Sequence, residues 1–252
     1  MSPPRIRVGC AGWSIAREHA HLFGEGASAL ERYATRFHVT EINSSFYRPH
    51  QPKTYARWAD SVPAGFRFSV KLPKSISHEQ RLQRCAAPLD RFLDEIDGLG
   101  KKLGGLLVQL PPSLAFDARI ASTFFGMLRR RTDIAIACEP RHASWFGAPA
   151  AALFERHSLS RVAADPAPCP EAAEPGAHGT WRYWRWHGSP RIYYSDYSEA
   201  ALQDLARQAS LAARPRIAPW IIFDNTAHGH ATKNAARLQE LLAAPASKKG
   251  QR

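Results

Sequence analysis

Side chains that can move protons or hold charge recur at the ends of apolar runs in this chain. The plainest case is the stretch from Trp181 to Gly188, WRYWRWHG. Tyr183, Arg185 and His187 fall on one parity, and Trp184 and Trp186 on the other. Successive strand side chains point to opposite faces, so the stretch reads as a strand with a polar face and an aromatic face. The same parity test on the other apolar runs adds Glu41 and Asn43, Lys71, Gln109, Glu139 and Arg141, and Asp165. Asp224 and Asn225 close the last run, with their parity open. Two carboxylates in one site can divide the roles of general base and ionised partner, and Glu41 and Glu139 are the candidate pair. A histidine changes charge near neutral pH, which makes His187 the candidate proton carrier. Lys71, Arg141 and Arg185 suit a carboxylate or phosphate and the charge that develops on it. Lys71 is read as a positioned cation, with a Schiff base on its amine as the lesser alternative. Trp13, Phe46, Tyr47 and Trp145 would wall the site.

These groups need elements that converge. Apolar runs at 6–11, 39–44, 66–72, 104–110, 134–139, 161–165, 181–188 and 220–225 read as eight strands. Helical spacing predicts helices over 28–37, 52–61, 89–99, 118–131, 148–157, 199–213 and 233–243, with Ser28 and Ser198 as N-caps and Pro52 at a first helical position. A segment rich in Pro, Ala, Glu and Gly, 166–179, stands where a sixth helix would fall. Strands alternating with helices mean a parallel sheet with helical crossovers. Eight units in 252 residues point to a single (β/α)8 TIM-like barrel over 1–244. The basic tail 245–252 is expected to be flexible. In such a barrel the C-terminal strand ends surround one mouth, and the polar set would meet there.

Composition narrows the function. Hydrophobic residues make up 44% of the chain, enough for a large core. The N-terminal residues carry no apolar signal core and no run is long enough to span a bilayer, so the expected location is the cytoplasm and no membrane partner is expected. Cys10, Cys85, Cys138 and Cys169 lack C-x-x-C spacing and read as reduced. A net charge of +12 favours anionic partners, a small polar or anionic ligand first and nucleic acid second. No cofactor is expected. The alternative is a divalent metal held by carboxylates with His187, against which three nearby cations stand. The oligomeric state is left open.

Seven quoted segments occur in order: VGCAGW from Val8, EINSSFY from Glu41, FSVK from Phe68, QLP from Gln109, EPR from Glu139, RWHG from Arg185 and FDNT from Phe223. Together they resemble the YecE-like family, also called domain of unknown function 72. The resemblance covers nearly the whole chain. It implies a TIM-barrel-like fold whose signature residues gather at the C-terminal mouth, here Glu41, Asn43, Lys71, Gln109, Glu139, Arg141, Arg185, His187 and Asn225. Many relatives carry two asparagines where this chain has Asp224 and Asn225. The family has no established reaction. The expectation from the residues is an enzyme using acid–base chemistry, as an isomerase, lyase or hydrolase, on a small anionic or hydroxylated substrate. A nucleic-acid-binding protein or metal-dependent nuclease is the alternative.

Overall fold

A computed structural model describes residues 6–176, 181–214 and 218–244. Its strands are β1 (Arg7–Cys10), β2 (Val39–Ile42), β3 (Arg67–Lys71), β4 (Leu103–Gln109), β5 (Ile136–Glu139), β6 (Leu159–Arg161), β7 (Ala163–Asp165), β8 (Tyr183–Trp186) and β9 (Trp220–Phe223). Its α-helices are α1 (Ala29–Ala34), α2 (Pro52–Asp60), α3 (Ala86–Ile96), α4 (Ala118–Arg129), α5 (Ala148–Arg156), α6 (Glu199–Ala212) and α7 (His230–Ala243). Every expected strand is present, and the sixth is split at Val162 into β6 and β7. The segment after β7 holds a short 3-10 turn, Pro170–Ala173, in place of a helix. Residues 177–180 of the expected loop and the tail 245–252 lie outside the described residues.

All strand pairs are parallel. They form two sheets, ordered β1-β9-β8-β7 and β2-β3-β4-β5-β6. The single closed sheet expected from the sequence is therefore not formed, and there are two seams. At one, β1 and β2 meet through an isolated bridge between Ala11 and Glu41. Thr40 Oγ1 reinforces it by donating to Cys10 O at 2.9 Å. At the other, Val162 N donates to Cys138 O at 2.9 Å before the chain changes partner and Ala163 pairs with Trp184.

Local chemistry explains the helix starts. Ser28 accepts from Glu31 N at 3.2 Å, and Glu31 Oε2 accepts in return from Ala27 N at 2.6 Å. Two otherwise orphaned donors are satisfied reciprocally, as in a capping box. Asp117 caps α4 through Arg119 N and Ile120 N, and Ser198 caps α6 through Ala201 N. None of the described helices is long and apolar enough to cross a membrane.

The strands are apolar on both faces, and the core divides accordingly. The larger cluster holds Trp184, Val70, Leu72, Val108, Leu110 and Cys138 on the side packed by the helices. The smaller one holds Val39, Leu107, Ala137, Val162, Trp181, Tyr183, Trp220 and Ile222, drawn from both sheets. Trp181 and Trp220 meet edge to face at 5.0 Å and form its floor. Gly104 and Gly105 make room for them, because a Cβ there would lie 2.6 Å from Trp220 and 2.4 Å from Trp181. The floor matters for function because the charged layer stands on it.

Candidate functional site

Tyr183 is the link between the floor and the charged layer. Its ring belongs to the inner apolar cluster, and its hydroxyl donates to Glu41 Oε2 at 2.8 Å and meets Ser69 Oγ at 2.9 Å. Burial first, and the neighbouring Glu41 next, push the phenol well above its ordinary range, so it remains a donor. Two residues further along β8, on the same face, comes Arg185. Its Nε lies 3.1 Å from both Glu41 oxygens and its Nη2 2.8 Å from Glu41 Oε1. Nη2 is also 2.9 Å from Asp224 Oδ2, and Nη1 is 3.4 Å from Glu139 Oε2. One fully buried guanidinium thus faces carboxylates from β2, the end of β5 and the residue after β9. Burial would weaken its hold on its proton, but Asp224, Glu41 and Glu139 outweigh burial and push Arg185 further above its ordinary range.

His187 follows two residues later and is wholly buried. Its Nδ1 is 2.9 Å from Asp224 Oδ2. Its Nε2 is 2.7 Å from Arg141 Nη2 and 3.0 Å from Glu139 Oε1. A guanidinium has only protons to offer, so Nε2 accepts from Arg141 and Nδ1 carries the proton given to Asp224. Glu139 Oε1 lies 3.0 Å from the same nitrogen, so Nε2 meets a donor and an acceptor at once. Burial alone would raise the Glu139 carboxyl, but Arg141, His187 and Arg185 outweigh it and hold Glu139 well below the usual carboxylate range. Asp224 is lowered in the same way, against its burial, by Arg185, His187 and Lys71.

Backbone bonds fix these ends. His187 N donates to Asp165 O at 2.7 Å, Asp224 N to Trp186 O at 2.7 Å, and Leu110 N to Glu139 O at 2.9 Å. Lys71 closes β3 on the same face as Ser69 and is only 3% exposed. Its Nζ stands 3.9 Å from the Phe46 ring centroid and has no hydrogen-bond or ion-pair partner among the described residues. Burial, and then Arg185, lower its ammonium from 10.5 to about 8. Gln109 ends β4 beside Glu139 in the strand register.

The expected set is thus brought together in large part: Glu41, Lys71, Gln109, Glu139, Arg141, Arg185 and His187. Others go elsewhere. Asp165 lies on the opposite parity to Val162 of the inner cluster, and its Oδ2 accepts from Tyr197 OH at 2.6 Å. Asn225 turns outward, where its Nδ2 donates to Asn234 Oδ1 at 2.8 Å and Ser195 O at 2.9 Å. Asn43 begins a short 3-10 turn, and its Oδ1 is buried without a partner among the described residues. Trp13 packs on Trp58 and Phe68, away from the charges. Trp145 is buried under Phe116 and donates to Leu114 O. Tyr47 is 67% exposed, edge-on to Phe46.

Two groups belong to the site that sequence parity left aside or open. Asp224 is one. The other is Tyr193, whose ring stands 6.1 Å from His187. Its φ of 70° is an unusual value for a bulky side chain. Bonds from Tyr193 N to His187 O and from Ala227 N to Tyr193 O hold it there. Its hydroxyl has no hydrogen-bond partner among the described residues. A cavity of about 520 Å³ lies elsewhere, between residues 17–22, α6 and α7. Its cations are already paired, Lys233 with Asp196 and Arg237 with Glu199, so volume and chemistry do not coincide here. Among the described residues no three His, Cys, Asp or Glu side chains are grouped to hold a metal ion.

The profile of the family described as protein of unknown function DUF72 matches residues 7–252. UPF0759 protein YecE of Escherichia coli K12 is 32% identical over 106 residues, covering 42% of this chain and 38% of that protein. This match spans well under half the length of the relative. UPF0759 protein YunF of Bacillus subtilis is 22% identical across 94% of each chain. Crystal structures of DUF72 family proteins from Thermotoga maritima and Enterococcus faecalis share the fold. The first has a TM-score of 0.77 at 22% identity over 94% of this chain and 99% of that one. The second has a TM-score of 0.76 at 23% identity over 95% and 96%. The chain belongs to the DUF72 family.

Proposed function

We propose that this protein is an enzyme that moves protons on a small polar substrate, anionic or hydroxylated, at the C-terminal ends of its strands. One observation carries the reading: the His187 imidazole is held from both sides, by Asp224 at 2.9 Å and by Arg141 and Glu139 at 2.7 and 3.0 Å. An imidazole whose two nitrogens are both held by charged side chains is positioned for general acid–base work. In this reading His187 carries the proton with the ionised Glu139 beside it, Arg141 binds the anionic group near the Lys71 amine, and Gln109 orients it. Glu41, Tyr183 and Arg185 form the rigid layer beneath, where a guanidinium satisfied by carboxylates neither moves nor titrates. The two sheets then act together as one barrel-like wall, with the inner apolar cluster as its floor.

The nucleic-acid alternative rests on the net charge of +12. Base stacking needs exposed aromatic faces. Trp145, Trp181, Trp184 and Trp220 are buried and closed to stacking, and the exposed rings are those of Tyr47, Tyr193 and Tyr194.

Thermal unfolding against phosphorylated sugars, organic acids and short oligonucleotides, each with EDTA and with Mn²⁺, tests the proposal. A ligand that binds only the native state raises the melting point. A shift with a small anion that is insensitive to EDTA and lost in His187→Asn and Arg141→Met supports it. A shift with oligonucleotides alone, or with metal alone, overturns it in favour of a nuclease.

A further inference from the structure

We infer that Lys71 is a nucleophile, forming an imine with a small aldehyde or ketone that carries a carboxylate or phosphate group. The inference rests on the acid–base reading of the same site and names its substrate class. Arg185 is committed to the Glu41 and Asp224 carboxylates, and Arg141 lies against Glu139 while keeping part of its guanidinium at the more exposed edge. Lys74 and Lys233 on the surface are paired with Glu79 and Asp196. Lys71 is different. No carboxylate oxygen of the described residues comes within 4.0 Å of its Nζ. The amine is nonetheless almost wholly removed from water, at the end of β3, with the Phe46 ring across one side. A cation kept solely to neutralise this cluster would be expected to sit against a carboxylate. An amine kept to react must leave its lone pair open.

The surroundings fit the chemistry. Burial, and then Arg185, bring the ammonium to about 8, so near neutral pH a substantial share is free amine. The nitrogen lone pair attacks the carbonyl carbon, and the C=O π pair moves to oxygen and takes up a proton. The nitrogen gives up a proton, the hydroxyl takes another and leaves as water, and a C=N bond remains. The sum is amine plus carbonyl plus one proton giving a protonated imine plus water, with no oxidant or reductant. His187 supplies and recovers the protons, with the ionised Glu139 beside it. A protonated imine is again a cation, and Glu41, Asp224 and Glu139 all favour positive charge at this position. Arg141, at the more exposed edge, takes the substrate's anionic group. An imine draws electrons from the adjoining carbon, which suits an isomerase or a lyase and not a hydrolase.

The full chain is incubated with pyridoxal 5′-phosphate, and separately with pyruvate, at pH 7.5 and reduced with borohydride. The modified peptide is then located by mass spectrometry. The expected result is a reduced adduct on Lys71, formed more than about tenfold faster than on Lys53, Lys74 or Lys233, because an ordinary lysine is almost fully protonated at that pH. It disappears in Lys71→Arg and Lys71→Met. Labelling of the surface lysines with Lys71 unmodified overturns the imine. Inorganic phosphate then separates the two readings. If it still raises the melting point of the wild type, and Arg141→Met abolishes the shift, the imine alone falls. If no anion binds, the acid–base reading falls with it.

Discussion

Arg185 Nη2 lies 2.8 Å from Glu41 Oε1, with both side chains completely buried, and this pair ties β8 of one sheet to β2 of the other. The tie crosses the inner layer close to the seam between β1 and β2. Removing one partner leaves a charge in the interior with too little compensation, which destabilises by about 3–5 kcal/mol. Glu41→Gln and Arg185→Met should each lower the unfolding free energy read from urea curves by that order. The double variant should lose clearly less than the two losses added, since it removes the mismatch that each single change creates. Full additivity would mean that the two groups do not act as a pair.

Lys71 makes the opposite prediction. Its folded-state value is about 8 against an ordinary 10.5. Between these values the unfolded chain holds more protons than the folded one, so stability rises with pH across that window. Below pH 8 the buried ammonium is a fixed burden of roughly 3 kcal/mol. Lys71→Met should therefore be more stable than the wild type at pH 7, and the gap should close as pH approaches 10.5. Urea unfolding at pH 7 and pH 10 measures this. A variant less stable than wild type at pH 7 would contradict the burial argument. Stability given up at this one residue is what a residue kept for reactivity should exhibit.

On the acid side the sign reverses. Glu139 and Asp224 are held below their ordinary values of 4.5 and 3.8. A carboxylate depressed in the folded state contributes stability above its unfolded value and loses it as pH falls through the folded one. Wild-type stability should decline from about pH 4.5 downward. Glu139→Gln should be less stable than wild type at pH 7 but should lose less on acidification. Melting temperatures at pH 7, 5, 4 and 3 give both comparisons. Parallel curves for the two proteins would remove Glu139 as the source of the acid limb.

The polar face of β8 was legible because Tyr183, Arg185 and His187 alternate with tryptophans, and the two core clusters divide along that alternation. Asp224 and Asn225 were not separable. Trp220, Ile221, Ile222 and Phe223 are all apolar and buried, so the run carries no phase that would tell an inner from an outer position. Asp165 failed for a related reason: Ala163 and Ala164 before it give no contrast, and the strand changes partner at Val162. That same change of partner separates the two sheets, and nothing in the residue types around Val162 signals it. Trp13 and Trp145 looked like walls of the site because aromatics suit a pocket as well as a core. Their ring partners, Trp58 and Phe116, put them in the core. Tyr193 had no sequence signal, since its position depends on a backbone turn after Gly188.

Tyr193 offers the cleanest separation of binding from folding. Its hydroxyl has no hydrogen-bond partner among the described residues, and its ring stands 6.1 Å from His187. Asp224, Arg185, Arg141 and Glu139 all lie near enough to act on its acidity, and burial first, then Asp224, raise it. The phenol therefore stays protonated and can donate to a ligand oxygen seated above His187. Removing a hydroxyl that bonds nothing in the protein should change stability by less than about 0.5 kcal/mol. Losing a hydrogen bond to a charged ligand group weakens binding by about 1.5–3 kcal/mol. Tyr193→Phe should thus unfold at the wild-type urea concentration yet bind a phosphate- or carboxylate-bearing ligand at least about tenfold more weakly. Calorimetric titration of both proteins with one such ligand, alongside the urea curves, decides it. Unchanged affinity would reduce Tyr193 to a cover over the site, and lost stability would mean that its hydroxyl serves the fold.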